Sequence, residues 1–229
     1  MNLIKRLEDE FSKYRHKGEK DNSEKPVLIT KEVRNISKKY FDEVKDKDKD
    51  GIFNICEEML DLKKWEFWIM AFDWAFKIRK KYSREDFFRF NEWIDKYIKG
   101  WDSCDDFCTH AFGYFLYKFP EFYHDSYQWT ESENMWYRRA SSVVLIYPIK
   151  NESLINEGFK TADKLLTDEE DLVQKGCGWM LKVIANKNQD MVFDYVQKNK
   201  KIMKRTILRY AIEKFPPDKK KILMNKNDL

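Results

Sequence analysis

Residues 100–115, GWDSCDDFCTHAFGYF, place Cys104, Phe107, Cys108, Ala111, Phe112 and Phe115 at the alternating three- and four-residue spacing of one helical face. Such a face is the apolar side of a helix packed on neighbours. Trp101 and Asp105 stand one turn apart on a different face of the same segment. A carboxylate beside a flat indole is unusual on a buried surface, so this pair is expected to serve a second, functional surface. The competing interpretation is an ordinary helix start, with Asp102 or Ser103 as N-cap, acids favoured by the helix dipole, and Trp101 as a hydrophobic staple.

Outward from this stretch the same periodicity recurs. Hydrophobic residues make up 42% of the 229-residue chain and charged residues 37%, which suits a folded, soluble protein with amphipathic helices. Only 7 Gly and 5 Pro are present, too little punctuation for a sheet-and-turn architecture. Residues 1–20 read as a short helix, followed by a polar loop from His16 to Lys25. Thr30 is the expected cap of a second helix bearing Val33, Ile36, Tyr40 and Val44. Further helical segments are expected to begin near Ile52, Lys64, Ser83, Asp102, Tyr123, Asn134, Ser153, Glu169, Met191 and Lys204. Thr130 with Glu133 and Thr167 with Glu170 have capping-box spacing. Breaks are expected at Lys99-Gly100, Phe119-Pro120, Tyr147-Pro148 and Phe215-Pro216-Pro217.

Short paired helices at this recurrence predict an all-α fold: a HEAT-like repeat α-solenoid of paired antiparallel helices with a common concave surface. A compact orthogonal bundle is the alternative. One domain is expected over residues 1–229, with divergent N-terminal helices to residue 50, core repeats over 51–217 and a polar tail over 218–229.

Composition narrows the chemistry. A net charge of +4 balances 44 basic against 40 acidic residues, so nucleic-acid binding requires Lys and Arg gathered on one face. Cys56, Cys104, Cys108 and Cys177 form no CxxC pair. With no apolar leader, a reducing cytoplasm is the expected compartment. No apolar run reaches the roughly 18 residues of a membrane span. Asp46, Asp48 and Asp50 before Gly51, with Glu57 beyond, superficially match a calcium loop. Lys fills the alternate positions and no second hand exists, so no calcium site is expected. Cys104 and Cys108 lie one turn apart with His110 off their face, which favours packed core thiols over zinc. No metal and no cofactor are expected.

Successive helices instead offer aromatic and basic stripes. Trp136, Arg139 and Val143 share one face; Lys175, Trp179 and Lys182 share another. Lys204 opens a segment in which Arg205 and Arg209 are one turn apart. Together these form a basic, aromatic-studded surface suited to a phosphate backbone.

Three separated stretches, WDSCD (101–105), NMWYRRA (134–140) and KGCGWMLK (175–182), with a weaker fourth, DMVFDYVQ (190–197), carry a resemblance to a known family. In order and spacing the chain resembles the AlkD-type DNA alkylation repair proteins, HEAT-like repeat DNA glycosylases, from about Trp65 to Phe215. The resemblance implies that Asp105 is the catalytic carboxylate and that Trp101 and Trp179 are the indoles beside the damaged nucleotide. It further implies that Arg139 holds the DNA backbone near the lesion, with Lys182 as a basic backbone contact. Trp136, Lys175, Lys204, Arg205 and Arg209 complete the expected DNA face, while Arg138, some 100° away from Arg139 around the helix, is expected to be structural. The chain departs from the family at its N-terminus, where the loop His16 to Lys25 and then VLITK (27–31) replace a Gly-Ile-x-x-Pro-like turn.

The family's substrates are duplex-DNA purines alkylated at N3 or N7. Being cationic, they leave without a general acid, and a carboxylate stabilises the oxocarbenium-like sugar and orients water. The expected activity is therefore a monomeric glycosylase for double-stranded DNA containing alkylated bases. The alternatives are a non-catalytic reader of damaged or distorted duplex, and a protein-binding helical scaffold.

Overall fold

The computed structural model describes residues 3–17, 24–26 and 28–225, and these are helical apart from one small hairpin. The chain divides into two compact units, Met1–Tyr82 and Ser83–Leu229. No shift in composition marks that division. Tyr82 is buried in the first unit and its hydroxyl donates to the Ala75 carbonyl at 2.7 Å.

The first unit opens with α1 (Leu3–Ser12), which buries Leu7 and Phe11. The hairpin β1 (Arg15–Lys17) and β2 (Glu24–Pro26) follows, where the sequence suggested a loop. The remainder of that expected loop lies outside the described residues. Helices α2 (Thr30–Glu43), α3 (Lys49–Asp61) and α4 (Trp65–Lys77) complete the unit, with α4 packed on both α2 and α3. The alternating aspartates before Gly51 act as a helix start. The Asp48 carboxylate accepts from the Gly51 amide at 2.9 Å, and Asp46 accepts from the Asp48 amide at 3.0 Å.

The second unit contains α5 (Asp86–Tyr97), α6 (Trp101–Thr109), α7 (Ala111–Lys118), α8 (Tyr123–Gln128), α9 (Met135–Val143), α10 (Ile146–Lys150), α11 (Ile155–Leu165), α12 (Asp171–Lys187), α13 (Gln189–Asn199), α14 (Arg205–Ala211) and α15 (Pro217–Met224). Helices α6, α9, α12 and α14 form one row, each packed on the next, while α7 packs on α10 and α13 on α15. This is solenoid-like stacking within one unit: every row helix buries an apolar stripe against neighbours and leaves a polar face along a common side.

Several local expectations are corrected. The 100–115 segment is two helices, because the backbone turns at His110 (φ −120°, ψ −87°). There the Thr109 hydroxyl donates to the Asp105 carbonyl at 2.7 Å, and the His110 ring nitrogen bonds the Asp106 carbonyl at 2.8 Å. These side-chain bonds compete with the backbone ladder and end α6. The apolar spacing runs through the turn unbroken, which is why periodicity alone conceals it. Neither capping box forms. Thr130 lies in a 3-10 turn and bonds the Tyr127 carbonyl, and Asn134 caps α9 by accepting from the Trp136 amide at 2.9 Å. Helix α12 starts after Glu170 with no side-chain cap, and Asp168 accepts the Glu170 amide in place of Thr167. Pro148 sits in the first turn of α10, where its missing N–H is no loss, so Tyr147-Pro148 is not a break. The expected polar tail is helical as α15 to Met224, held by buried Leu223; residues 226–229 lie outside the described residues.

The row is closest around α12, where glycines stand at the contacts. A Cβ on Gly176 would come 3.1 Å from the Ser142 hydroxyl and 3.3 Å from Arg139 Cγ on α9. A Cβ on Gly178 would come 2.5 Å from Tyr210 Cβ and 2.9 Å from the Ile207 carbonyl on α14. Backbone on one side and a Cβ on the other leave the second contact no flexible group to give way. Gly178→Ala is therefore expected to destabilise the protein by about 1–3 kcal/mol, seen as a lowered urea midpoint. An unchanged midpoint would mean that α14 is not held this closely.

Candidate functional site

Helix α6 buries Ser103, Cys104, Phe107 and Cys108, which turns Trp101 and Asp105 toward the open side of the row. The Asp105 carboxylate meets Arg139 of α9 in a forked pair. Nη2 donates to Oδ1 at 2.7 Å and to Oδ2 at 2.8 Å, and Nε donates to Oδ1 at 2.9 Å. Arg139 Nη1 also donates to the Leu172 carbonyl at the start of α12. One guanidinium thus joins three successive row helices. It is nearly enclosed, with 5% of its side chain accessible, whereas 19% of the Asp105 side chain remains open.

Electrostatics at Asp105 are a contest. Burial raises its carboxyl above the ordinary value of 3.8, Arg139 pulls it back down, and the neighbouring carboxylates Asp102 and Asp106 push it up again, leaving a net rise. Behind it, Cys104 and Cys108 are fully buried, and burial drives the Cys108 thiol well above its usual range. They are inert packing thiols. His110 is engaged with Asp106, and among the described residues no group of three His, Cys, Asp or Glu is placed to hold a metal.

Asp105 opens into a cavity of about 460 Å³ lined by Trp101, Arg139, Leu172, Lys175, Trp179, Lys182 and Tyr210. Trp101 is 57% exposed at its edge, a large indole with no packing reason to face solvent. Six residues singled out from sequence, Trp101, Asp105, Arg139, Lys175, Trp179 and Lys182, therefore meet at one place. Leu172 and Tyr210 were missed. Leu172 was findable, since Leu172, Lys175, Trp179 and Lys182 follow one helical face. Tyr210 was not, because it arrives from α14 across Gly178.

The remaining expected residues are elsewhere. Trp136 is half-buried in the first turn of α9 and does not line this cavity. Lys204 precedes α14 and pairs with Glu169 at 2.6 Å. Arg205 faces the Met224 carbonyl at 3.4 Å. Arg209 lines a neighbouring cavity of about 490 Å³ with Asp171, Lys175, Thr206, Tyr210 and Glu213. Arg138 binds Asp168 at 2.7 Å together with the Ser132 and Glu133 carbonyls, a helix-to-loop brace.

The basic stripe read from sequence is in the structure largely a row of ion pairs. Lys175 pairs with Asp171 at 2.6 Å, and Lys182 with Glu213 at 2.8 Å. Asp171 stands one turn before Lys175 on the same helix, whereas Glu213 reaches Lys182 from beyond α14, which the helical spacing of α12 does not report. The result is a nearly neutral cavity mouth around a fixed carboxylate and two indoles. Such a site suits a ligand that carries, or develops, positive charge at Asp105.

No curated protein matches the chain by sequence. A solved structure of a protein from Enterococcus faecalis, described as a predicted DNA alkylation repair enzyme, superposes with a TM-score of 0.73 over 94% of this chain and 95% of that one, at 17% identity. At that identity the likeness shows a shared all-helical fold, with the α-solenoid-like order of the helices. The model of the DNA alkylation repair enzyme family matches residues 27–215, most of the chain and all of the cavity. The chain belongs to the DNA alkylation repair enzyme family.

Proposed function

We propose that this protein is a DNA glycosylase that releases cationic N3- and N7-alkylated purines from duplex DNA. The observation that supports this most is Asp105: a carboxylate fixed by a forked arginine, partly open to a cavity, and flanked there by Trp101 and Trp179. A base that already bears positive charge departs without protonation. The demanding event is the positive charge that grows on the deoxyribose as the N-glycosidic bond lengthens. A carboxylate whose position is set in advance stabilises that charge without reorganising, and accepts a hydrogen bond from the attacking water. Indole faces attract cationic groups by about 0.5–2 kcal/mol each, which favours the alkylated nucleotide over its neutral parent. In this reading Arg139 has two tasks: it orients Asp105, and its charge lies near the strand. No step asks for a cofactor. The protein is taken to act as a monomer in the cytoplasm, and Lys175, Lys182, Lys204, Arg205 and Arg209, with Trp136, are proposed as the DNA-facing set. No helix among the described residues is long and apolar enough to cross a membrane.

A second reading, a non-catalytic reader of damaged duplex, is favoured by one observation. Both Asp105 oxygens already accept from Arg139, which offsets the charge that catalysis uses. Base release separates the two. Purified protein incubated with methylated duplex DNA is expected to release methyladenine and methylguanine. Asp105→Asn, which keeps the shape and one acceptor for Arg139, is expected to lose release by about 100-fold or more while remaining folded. Release retained in that variant removes Asp105 from the mechanism, and no release by wild type with DNA binding intact favours the reader.

Two further outcomes follow from the electrostatics. The ionised form of Asp105 is the active one and burial raises its pKa, so kcat/KM is expected to fall with decreasing pH through an acid limb above 3.8. A limb at or below that value contradicts the assignment. Lys182 holds the Glu213 carboxyl below its ordinary range, so Glu213 is charged at neutral pH. Glu213→Gln frees Lys182 for a phosphate. It is expected to tighten binding of undamaged duplex severalfold and to steepen its salt dependence, measured by fluorescence anisotropy at several ionic strengths. Unaltered affinity would place Lys182 away from DNA.

A further inference from the structure

Next to the carboxylate cavity lies a second one that the proposed chemistry does not use. Lys175 and Tyr210 line both, so the two are contiguous, with Tyr210 as the wall between them. The position of that wall is set by the row itself, because Gly178 lets α14 approach until a Cβ would have no room against Tyr210. One face of the phenol ring receives Lys182 Nζ at 5.7 Å from its centroid.

The charges lining the second cavity sum to zero, but both of its carboxylates are engaged by lysines. Asp171 is held by Lys175 at 2.6 Å, and Glu213 by Lys182 at 2.8 Å and Lys214 at 3.6 Å. Arg209 makes no ion pair among the described residues. It is the one lining cation with no carboxylate partner, and Tyr210 lines the same cavity, whereas the Thr206 hydroxyl donates to Asp171 at 3.4 Å. That combination matches a singly charged phosphodiester: one ion partner able to donate in a fork, and the Tyr210 hydroxyl as a neutral donor for the remaining oxygen.

Resting on the glycosylase reading for what occupies the first cavity, we infer that the second cavity takes one phosphodiester of the same strand, flanking the lesion nucleotide. Arg209 is its ion partner and Tyr210 a positioning residue that donates through its hydroxyl. Phosphate contacts set register without reading sequence. A phosphate anchored here, in the cavity that shares Lys175 and Tyr210 with the one Asp105 lines, holds the lesion sugar at the carboxylate.

The test uses duplexes holding one tetrahydrofuran abasic site, with a neutral methylphosphonate placed at each nearby linkage in turn. Binding is measured for wild type, Arg209→Gln and Tyr210→Phe, and base release is measured in parallel on methylated duplex. One flanking linkage is expected to stand out, its neutralisation weakening wild-type binding about tenfold. Arg209→Gln is expected to bind unmodified linkages with a comparable loss, to lose nothing more at that linkage, and to show a salt slope smaller by about one. Tyr210→Phe is expected to raise KM severalfold with kcat nearly unchanged. If no linkage stands out, or if the Arg209→Gln loss and the linkage loss multiply in full, the phosphate site is overturned. An unchanged KM in Tyr210→Phe removes Tyr210 from it. The binding arm needs no turnover, so wild-type protein that releases no base defeats the glycosylase reading while linkage dependence still decides the phosphate site.

Discussion

The second unit is organised by a single buried guanidinium. Arg139 reaches from α9 to the Asp105 carboxylate on α6 and to the Leu172 carbonyl on α12, making four hydrogen bonds to the two helices that flank its own in the row. A charge so enclosed must be matched, and Asp105 matches it. Asp105 is in turn half-buried beside two other carboxylates, and without Arg139 its ionised form would be poorly tolerated. Structure and candidate chemistry therefore depend on one pair: the contact that lets the helices stack is the contact that aims the carboxylate.

The pair works only because the helices approach closely enough. Gly176 and Gly178 on α12 are positions where a methyl group would meet α9 on one side and α14 on the other. Their value is not conformational freedom, since neither has positive φ. It is the absence of a Cβ, which lets α12 approach α9, where Arg139 reaches the Leu172 carbonyl, and sets Tyr210 against the cavity. Between them, Cys177 is fully buried. Three consecutive residues of α12 thus fix the spacing of the row, and Trp179 and Lys182 project from the same helix into the site.

Around the cavity, cations and carboxylates are interleaved rather than segregated. Exposed pairs of this kind contribute little to stability. In the proposed function their consequence is for binding, because each lysine would exchange a carboxylate for a phosphate when DNA arrives. A surface built this way would then hold undamaged duplex weakly. On the proposed glycosylase reading, discrimination is left to the indoles and Asp105, which would respond to positive charge on the nucleotide and not to the backbone common to all DNA.

Much of this was legible in the primary structure. The stripe of Cys104, Phe107, Cys108, Ala111, Phe112 and Phe115 announces helices, and most expected starts fall within three residues of the observed ones, because amphipathic periodicity follows directly from packing one face. Trp101 with Asp105, and Lys175 with Trp179 and Lys182, were visible as off-core pairs at helical spacing. What one-dimensional spacing cannot carry is anything that passes between helices. The turn at His110 hides in a continuous apolar pattern. The acids that neutralise Lys182 and Lys204 come from other elements, and Trp136 shares a stripe with Arg139 yet stays out of the cavity. Tyr210 enters the site from α14. Sequence by itself determined which residues sit on which side of each helix, since that is local geometry and burial. Tertiary structure alone decided which of those sides face one another, since that depends on how closely backbones pack, and here on two missing methyl groups in α12.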